Sequence, residues 1–234
     1  DAVVLVATVR ALKMQGGVAK ADLGTPDVDA LRRGSVNIIR HIENLKKFGL
    51  TPVVAINHFH KDTAEEVEAL QEICAEQGVR SAVAKHWAEG SEGARELAMA
   101  VKAQLDSGSP EIKFLYSDEV SLAVKIETVA REIYRASHVT LSSEAARNLA
   151  EYEKLGFGKL PVCIAKTQYS FSTNPNASGA PSGHDVEVRE VRLSAGAGFV
   201  VAICGDIMTM PGLPKSPSAL RIDIDEAGAL LGLS

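Results

Sequence analysis

Apolar residues in the first half of the chain form short runs that predict strands. The runs at 2–9 and 52–56 are β-branched and almost continuous, which is typical of strands buried on both faces. Residues 79–84 predict a third short strand. Each run is followed by an amphipathic stretch rather than by a tight hairpin turn, so the strands are expected to lie parallel.

The stretches between these strands have the periodicity of helices. Thr25 is expected to cap a helix that begins at Pro26 and ends at Gly49, with apolar residues three and four positions apart. Thr63 begins the next helix through a capping box, and a third helix covers the region around 97–105. The alternation predicts an α/β fold, with a Rossmann-like parallel sheet and right-handed crossover helices.

The pattern changes in the second half of the chain. Apolar spacing predicts a helix around 122–133, and Ser142 or Ser143 is expected to cap another that runs toward Leu155. Strand-like runs then follow, divided by a loop at 170–183 that is rich in Ser, Asn, Pro and Gly. A smaller α+β domain is therefore expected after the parallel one.

The boundary between the two predicted domains falls near residue 137, where Ser137 and His138 separate two predicted helices. The first domain is expected to cover residues 1–137 and the second residues 138–234.

Composition excludes several classes of protein. The chain has 234 residues, of which 46% are hydrophobic and 24% charged, which is typical of a globular protein and not of a disordered one. A net charge of −5 provides no general attraction to nucleic acid, and no apolar run approaches the roughly 20 residues of a membrane helix. No nucleic-acid or membrane partner is expected.

Cysteine usage indicates a reducing compartment. There are three cysteines, none of them in a CxxC motif, and an odd number cannot all pair within one chain. A cytoplasmic location is therefore expected. Cys163 and Cys204 lie in predicted apolar strands, and we expect their thiols to be buried and inert.

Common catalytic motifs do not match. A P-loop requires Ser or Thr after Gly-Lys, but Leu160 follows Gly158 and Lys159. His58 and His60 point to opposite sides of an extended segment, so surface histidines are expected and no metal site is predicted.

Several long sequence motifs resemble formate-tetrahydrofolate ligase, also called formyltetrahydrofolate synthetase. The resemblance runs in order through the whole chain, in the segments VATVRALKMQGG (6–17), KADLGTPDVDAL (20–31), VVAINHF (53–59), KHWAEGSEGA (85–94), LPVCIAKTQYSFS (160–172) and GDIMTMPGLPK (205–215). It implies an ATP- and Mg-dependent enzyme that activates formate to formyl phosphate. Attack by N10 of tetrahydrofolate then gives 10-formyltetrahydrofolate. The family also implies a homotetramer and, in some members, a monovalent cation.

The resemblance covers only the C-terminal portion of the family's sequence. Members carry their P-loop, and the basic residue that holds formyl phosphate, in an N-terminal region that precedes these motifs. The opening strand also lacks a preceding Met, so we expect a fragment that is inactive alone and has no catalytic residues we can name. The alternative is a noncatalytic folate-binding or assembly module that works with a separate N-terminal partner.

Two aromatic residues are expected to hold the folate. By resemblance, the rings that sandwich the flat folate system fall on Phe59 and Trp87. Asn57 could hydrogen-bond the edge of the pterin or cap its own strand, and Glu89 is a further substrate-binding candidate. Both aromatics follow predicted parallel strands, at the edge where open α/β sheets bind ligands. The alternative is that Trp87, the chain's single tryptophan, fills a core.

Several basic and polar residues after the first predicted strand have more than one possible role. Arg10 and Lys13 follow the first predicted strand and could meet a phosphate, the missing domain or solvent. Gln15 stands where the family usually has His or Asn; a loop-packing role is compatible with all three residues, whereas a role needing imidazole basicity is excluded.

The roles of three further polar residues stay open. Lys166 begins a polar segment in which interface or cofactor contacts compete with turn formation, and Asp206 and Thr209 lie beside two methionines that suit a ligand wall or a core.

Overall fold

A computed structural model describes residues 1–205 and 216–232. The first half contains three strands and six helices among the described residues. They are β1 (Val4–Ala7), α1 (Val9–Gln15), α2 (Val28–Gly34), α3 (Val36–Lys47), β2 (Val53–Asn57), α4 (Ala64–Glu76), β3 (Ser81–Ala84), α5 (His86–Glu89) and α6 (Arg95–Asp106).

The described part of the second half adds two helices and seven strands. They are α7 (Leu122–Glu132), β4 (His138–Leu141), α8 (Ser143–Lys154), β5 (Val162–Ala165), β6 (Asp185–Val188), β7 (Glu190–Ser194), β8 (Phe199–Ile203), β9 (Asp223–Ile224) and β10 (Leu230–Leu231). Short 3-10 turns lie at Lys20–Asp22, Glu92–Ala94 and Ser218–Leu220.

The first sheet is parallel, as the alternation of strands and helices predicts. Its order is β1-β2-β3, and both pairings are parallel. In the second half β4 pairs with β6, and β8 lies between β5 and β7, parallel to the first and antiparallel to the second. The α/β fold class is confirmed.

Buried apolar residues form two clusters. One draws on residues between Ala7 and Val79, and the other on residues between Leu122 and Cys204. Helix α7 contributes Leu122, Ile126 and Ala130 to the second cluster. The boundary at residue 137 stays a prediction.

The predicted capping box at the start of α4 is present. The Thr63 hydroxyl accepts from the Glu66 backbone N–H, and the Glu66 carboxylate accepts from the Thr63 N–H. Ser142 likewise caps α8 through the Ala145 N–H. Both helix starts were predicted from local sequence, because a cap joins residues only three positions apart.

The helix predicted to start at Pro26 is wrong in its start and its continuity. Asp27 is the cap, since its carboxylate accepts from the Ala30 N–H at 2.8 Å. The chain also breaks into α2 and α3 at Ser35. Gly34 ends α2 so close to α1 that a Cβ there would lie 1.8 Å from the Leu12 carbonyl oxygen.

Two further local elements differ from the sequence prediction. Strand β1 ends at Ala7, and Thr8 caps the unpredicted helix α1 through the Ala11 N–H at 3.1 Å. Strand β4 replaces the simple separation of two helices expected around His138. Each was missed because four- to seven-residue elements are too short for a clear period.

Two burial predictions are wrong. Strand β1 is not covered on both faces, since Val4 and Val6 are exposed at the edge of the sheet. Cys163 is exposed on β5, whereas Cys204 is buried as expected and its burial raises the pKa of its thiol to about 11.

Candidate functional site

The carboxyl ends of β2 and β3 place the two predicted folate-binding aromatics at the same edge of the sheet. Asn57, the last residue of β2, is paired in register with Ala84, the last residue of β3. Phe59 follows two residues after Asn57, and Trp87 follows three residues after Ala84. Neighbouring strands lie about 4.8 Å apart, so the two loops start side by side.

A tight loop holds Phe59. Its backbone N–H donates to the Asp62 carboxylate at 2.8 Å, and its carbonyl accepts from the Asp62 N–H at 2.9 Å. The Arg10 guanidinium lies over the Phe59 ring, 5.7 Å from the ring centroid. One face of the half-buried phenyl ring is therefore covered by a cation.

Trp87 belongs to the single-turn helix α5 and is 61% exposed. A core-filling tryptophan would be almost fully enclosed, so Trp87 does not fill a core formed by the described residues. A large aromatic surface that is left open at the carboxyl edge of a sheet is available to stack on a flat ligand.

Backbone contacts from Lys85 fix the position of α5. The Lys85 carbonyl accepts from the N–H groups of Ala88 and Glu89, both at 3.0 Å, and the Lys85 N–H donates to the Gly93 carbonyl at 2.9 Å. A Cβ on Gly93 would lie 2.6 Å from the Lys85 carbonyl group. Only glycine permits this close approach of two backbone segments.

A polar cleft of about 700 Å³ adjoins these loops. Its charged lining includes Lys85, Glu89, Glu92, Arg95 and Glu96. The candidate Glu89 therefore lines a cleft next to Trp87, together with carboxylates that can accept hydrogen bonds from ligand N–H groups.

His58 and Asn57 lie at the β2 side of the site. His58 is half-buried and lines the same cleft, whereas His60 is exposed as predicted. Asn57 is half-buried, and within the described residues its side chain makes no hydrogen bond. Its amide is therefore not used as a strand cap in this part of the chain.

Lys13 requires a correction. It is 1% exposed, and its ammonium donates to Glu66 Oε1 at 2.7 Å and to the Thr25 carbonyl at 2.9 Å. The expected contact with phosphate, a further domain or solvent is replaced by an internal ion pair, because α1 turns this side chain toward α4.

The Glu66 carboxylate accepts hydrogen bonds from several donors. Burial alone would raise the pKa of its carboxyl, but hydrogen bonds from Lys13, Thr63 and Asp27 outweigh it and hold that pKa below its ordinary value. The carboxylate thus joins the starts of α2 and α4 to α1.

The Lys166 side chain binds the backbone of the loop that follows it. Its ammonium donates to the carbonyl oxygens of Thr167, Ser170 and Ser172 and lies 4.7 Å from the Tyr134 ring centroid. Burial lowers the pKa of Lys166 to about 8, and the nearby Cys204 acts in the opposite direction. Within the described residues these contacts support the turn that follows β5.

Gln15 packs against loops of the second half. Its side-chain oxygen accepts from the Gly179 N–H at 2.7 Å, and its nitrogen donates to the Tyr169 carbonyl at 3.3 Å. Asp206 and Thr209 lie outside the described residues.

The described ranges contain no group of three or more His, Cys, Asp or Glu side chains that could hold a metal ion. In the same ranges, no helix combines the length and the apolar character needed to cross a membrane.

Two contributors to the site were missed in the sequence. The contact of Arg10 with Phe59 has no local signal, because it depends on how α1 packs beside β2. Gly93 was not among the candidate residues named from the sequence. Its occurrence in a glycine-rich segment directly after Trp87 was the available signal.

The described structure is an α/β protein in which two aromatic residues, the half-buried Phe59 and the exposed Trp87, follow adjacent parallel strands. The profile of one family, formate–tetrahydrofolate ligase, matches residues 1–234. The chain belongs to the formate–tetrahydrofolate ligase family.

Curated relatives agree with this assignment. The chain is 58% identical over 232 residues to the formate–tetrahydrofolate ligase of Allorhizobium ampelinum and 59% identical over 232 residues to that of Paracoccus denitrificans. It is 56% identical over 235 residues to that of Methylobacterium nodulans. These matches cover 99%, 99% and 100% of this chain but only 42% of each relative.

Proposed function

We propose that this chain supplies the tetrahydrofolate-binding part of an ATP-dependent formate–tetrahydrofolate ligase. In the full-length protein, ATP and Mg would activate formate to formyl phosphate, and N10 of tetrahydrofolate would accept the formyl group and release phosphate. The observation that carries the proposal is the exposed Trp87 beside the Phe59 loop at the carboxyl edge of a parallel sheet.

Stacking supplies the binding energy in this proposal. The pterin ring is flat, and an offset stack on an aromatic side chain contributes about 0.5–1.5 kcal/mol beyond the area it buries. Arg10 supports Phe59 from one face, so the ring can hold its orientation before the ligand arrives. Glu89 and Asn57 would bind the polar edge of the ligand.

The chemistry of formate activation is assigned to residues outside this chain. No P-loop occurs in these 234 residues, and Lys13 is occupied by Glu66. We therefore assign the nucleotide and the formyl phosphate to the remaining part of the full-length protein. A cytoplasmic homotetramer, with a monovalent-cation requirement in some members, is the assembly that the family resemblance favours.

The test is Trp87→Ala in the full-length enzyme, with Trp87→Phe beside it. We expect the Ala variant to raise the Kd for tetrahydrofolate about tenfold to thirtyfold, because truncating an aromatic anchor costs about 1.4–2 kcal/mol. The Phe variant keeps a ring and should lose less. The KM for ATP should change little in either variant.

Unfolding midpoints separate binding from stability. A core tryptophan cut to Ala would cost about 3–5 kcal/mol of stability and would lower every kinetic constant through the active fraction. Tyr169→Ala, which removes an exposed aromatic on another loop, is the matched control. Unchanged tetrahydrofolate binding in a folded Trp87→Ala enzyme would show that the assignment is wrong.

A further inference from the structure

A large apolar cleft lies between the two halves of the chain and shares no lining residue with the polar cleft near Trp87. Its volume is about 870 Å³, and its wall includes Leu5, Phe48, Phe114, Val129 and Phe171. Phe114 is 85% exposed at this cleft. Phe48 is half-buried and Phe171 is buried, so Phe114 is the exposed phenyl ring of this wall. A large exposed aromatic side chain beside an apolar cleft is typical of a surface that another apolar group covers.

Strand β1 borders this cleft and forms a free edge of the parallel sheet. Leu5 lines the cleft, while the neighbouring Val4 and Val6 point to the opposite face of the sheet, where Val6 is 63% exposed. Strands of parallel sheets are normally covered on both faces. In the described structure β1 has neither full cover nor a second strand partner.

The edge of β1 also lacks the devices that protect a free edge. Natural edge strands carry Lys, Pro or a bulge that prevents pairing with another chain. Residues 1–8 read DAVVLVAT and contain neither Lys nor Pro. Such a strand is suited to permanent cover by polypeptide, because a small ligand in the cleft would leave the edge and the Val6 face open.

The length of the relatives indicates which polypeptide covers this surface. The chain spans 42% of each curated relative, which leaves 58% of each full-length protein outside it (100 − 42). We propose that the apolar cleft and the open side of β1 together form the docking surface for the part of the full-length ligase outside these 234 residues. That part presents apolar side chains to the cleft and backbone to the β1 edge.

This inference rests on family membership and not on the folate assignment. A second copy of the chain could cover the same surface, but the covalently joined remainder has the higher effective concentration. The surface is also hydrophobic at its centre, as in obligate interfaces.

The test measures cysteine accessibility in the native full-length protein. Phe114→Cys and Leu155→Cys are prepared separately, and alkylation by N-ethylmaleimide is followed at each site by peptide mass spectrometry. Leu155 is the matched control, because it is 62% exposed and does not line the cleft. In the described structure both positions are open.

We expect the cysteine at 114 to react at least about tenfold more slowly than the one at 155, which corresponds to an opening free energy of about 1.4 kcal/mol. The rates should become equal in urea. Val6→Cys should show the same protection and provides a second variant if Phe114→Cys fails to fold.

Two results would overturn the proposal. Equal or faster native alkylation at position 114 would mean that the cleft is open in the full-length protein. Protection that disappears on dilution would assign the cover to a second copy. Tetrahydrofolate is absent from the assay, so loss of the folate site leaves the outcome unaffected.

Discussion

At the scale of single residues, the ion pair of Lys13 and Glu66 shows how the structure keeps charges in its interior. The two side chains are 1% and 0% exposed, and the carboxylate also accepts backbone N–H groups from Asp27 and Thr63. A buried pair is tolerated when its hydrogen-bonding capacity is satisfied. This pair connects three helix termini, which carry the loops that lead toward the site.

We expect Lys13→Met to destabilise the fold by about 3–5 kcal/mol, because it leaves a buried carboxylate without its counter-charge. Adding Glu66→Gln should recover part of this loss, since no uncompensated charge remains. Urea unfolding of both variants gives the comparison. A double variant no more stable than Lys13→Met would contradict this account.

Acid provides a second readout for the same pair. The pKa of Glu66 is lowered in the folded state, so its stabilising contribution is complete above its unfolded pKa, about 4.3, and is lost as the pH falls through the lower folded value. The Glu66→Gln variant should lack this part of the acid dependence.

At the scale of elements, short segments are positioned by backbone contacts rather than by their own cores. Helix α5 spans only His86–Glu89 and has no buried residue. The close approach of Gly93 to the Lys85 carbonyl supplies its position. The orientation of Trp87 therefore depends on a glycine six residues away in the chain.

Gly93→Ala should weaken tetrahydrofolate binding by the full-length enzyme about tenfold or more, because the added methyl group forces α5 and its aromatic ring to move. Calorimetric Kd values give the measurement. Gly196→Ala is the control, since a Cβ at that position meets nothing within 4 Å. Equal affinities for the two variants would show that Gly93 does not position Trp87.

At the scale of the whole molecule, Phe59 and Trp87 share one edge of the parallel sheet, but the sequence contains no recognisable nucleotide-binding motif. Phosphoryl transfer depends on positioning and on neutralising the charge of the phosphates, and P-loop enzymes use a Gly-rich loop with Lys for this. The sequence lacks that motif, and the chain spans 42% of its relatives.

The isolated chain should therefore form no 10-formyltetrahydrofolate from ATP, formate and tetrahydrofolate, whereas the full-length enzyme should. Circular dichroism and tetrahydrofolate binding establish that the isolated chain is folded. Turnover above about a thousandth of a typical kcat of ~10 s⁻¹ would contradict the assignment of formate activation to residues outside this chain.

The order of the first three strands and some helix starts, among them those of α4 and α8, were predictable from the sequence by itself. The capping box at Thr63 and the cap at Ser142 each join residues three positions apart, and the parallel order of β1, β2 and β3 follows from the alternation of strands with helices. The spacing of apolar residues predicts such local features directly, because side-chain positions on a helix or a strand repeat every few residues. The positions of Phe59 and Trp87 after two neighbouring strands follow for the same reason.

Tertiary structure decided which side chains are enclosed. From the sequence Lys13 is expected to be a surface cation, but it is buried in an ion pair with Glu66, which is 53 residues away in the chain. Val6 is expected to be buried, but it lies exposed at a sheet edge. The orientation of Arg10 over Phe59 and the exposure of Trp87 belong to the same group. Burial is set by contacts between distant segments, so the same apolar or charged residue can lie in a core or at a surface depending on what the fold brings against it.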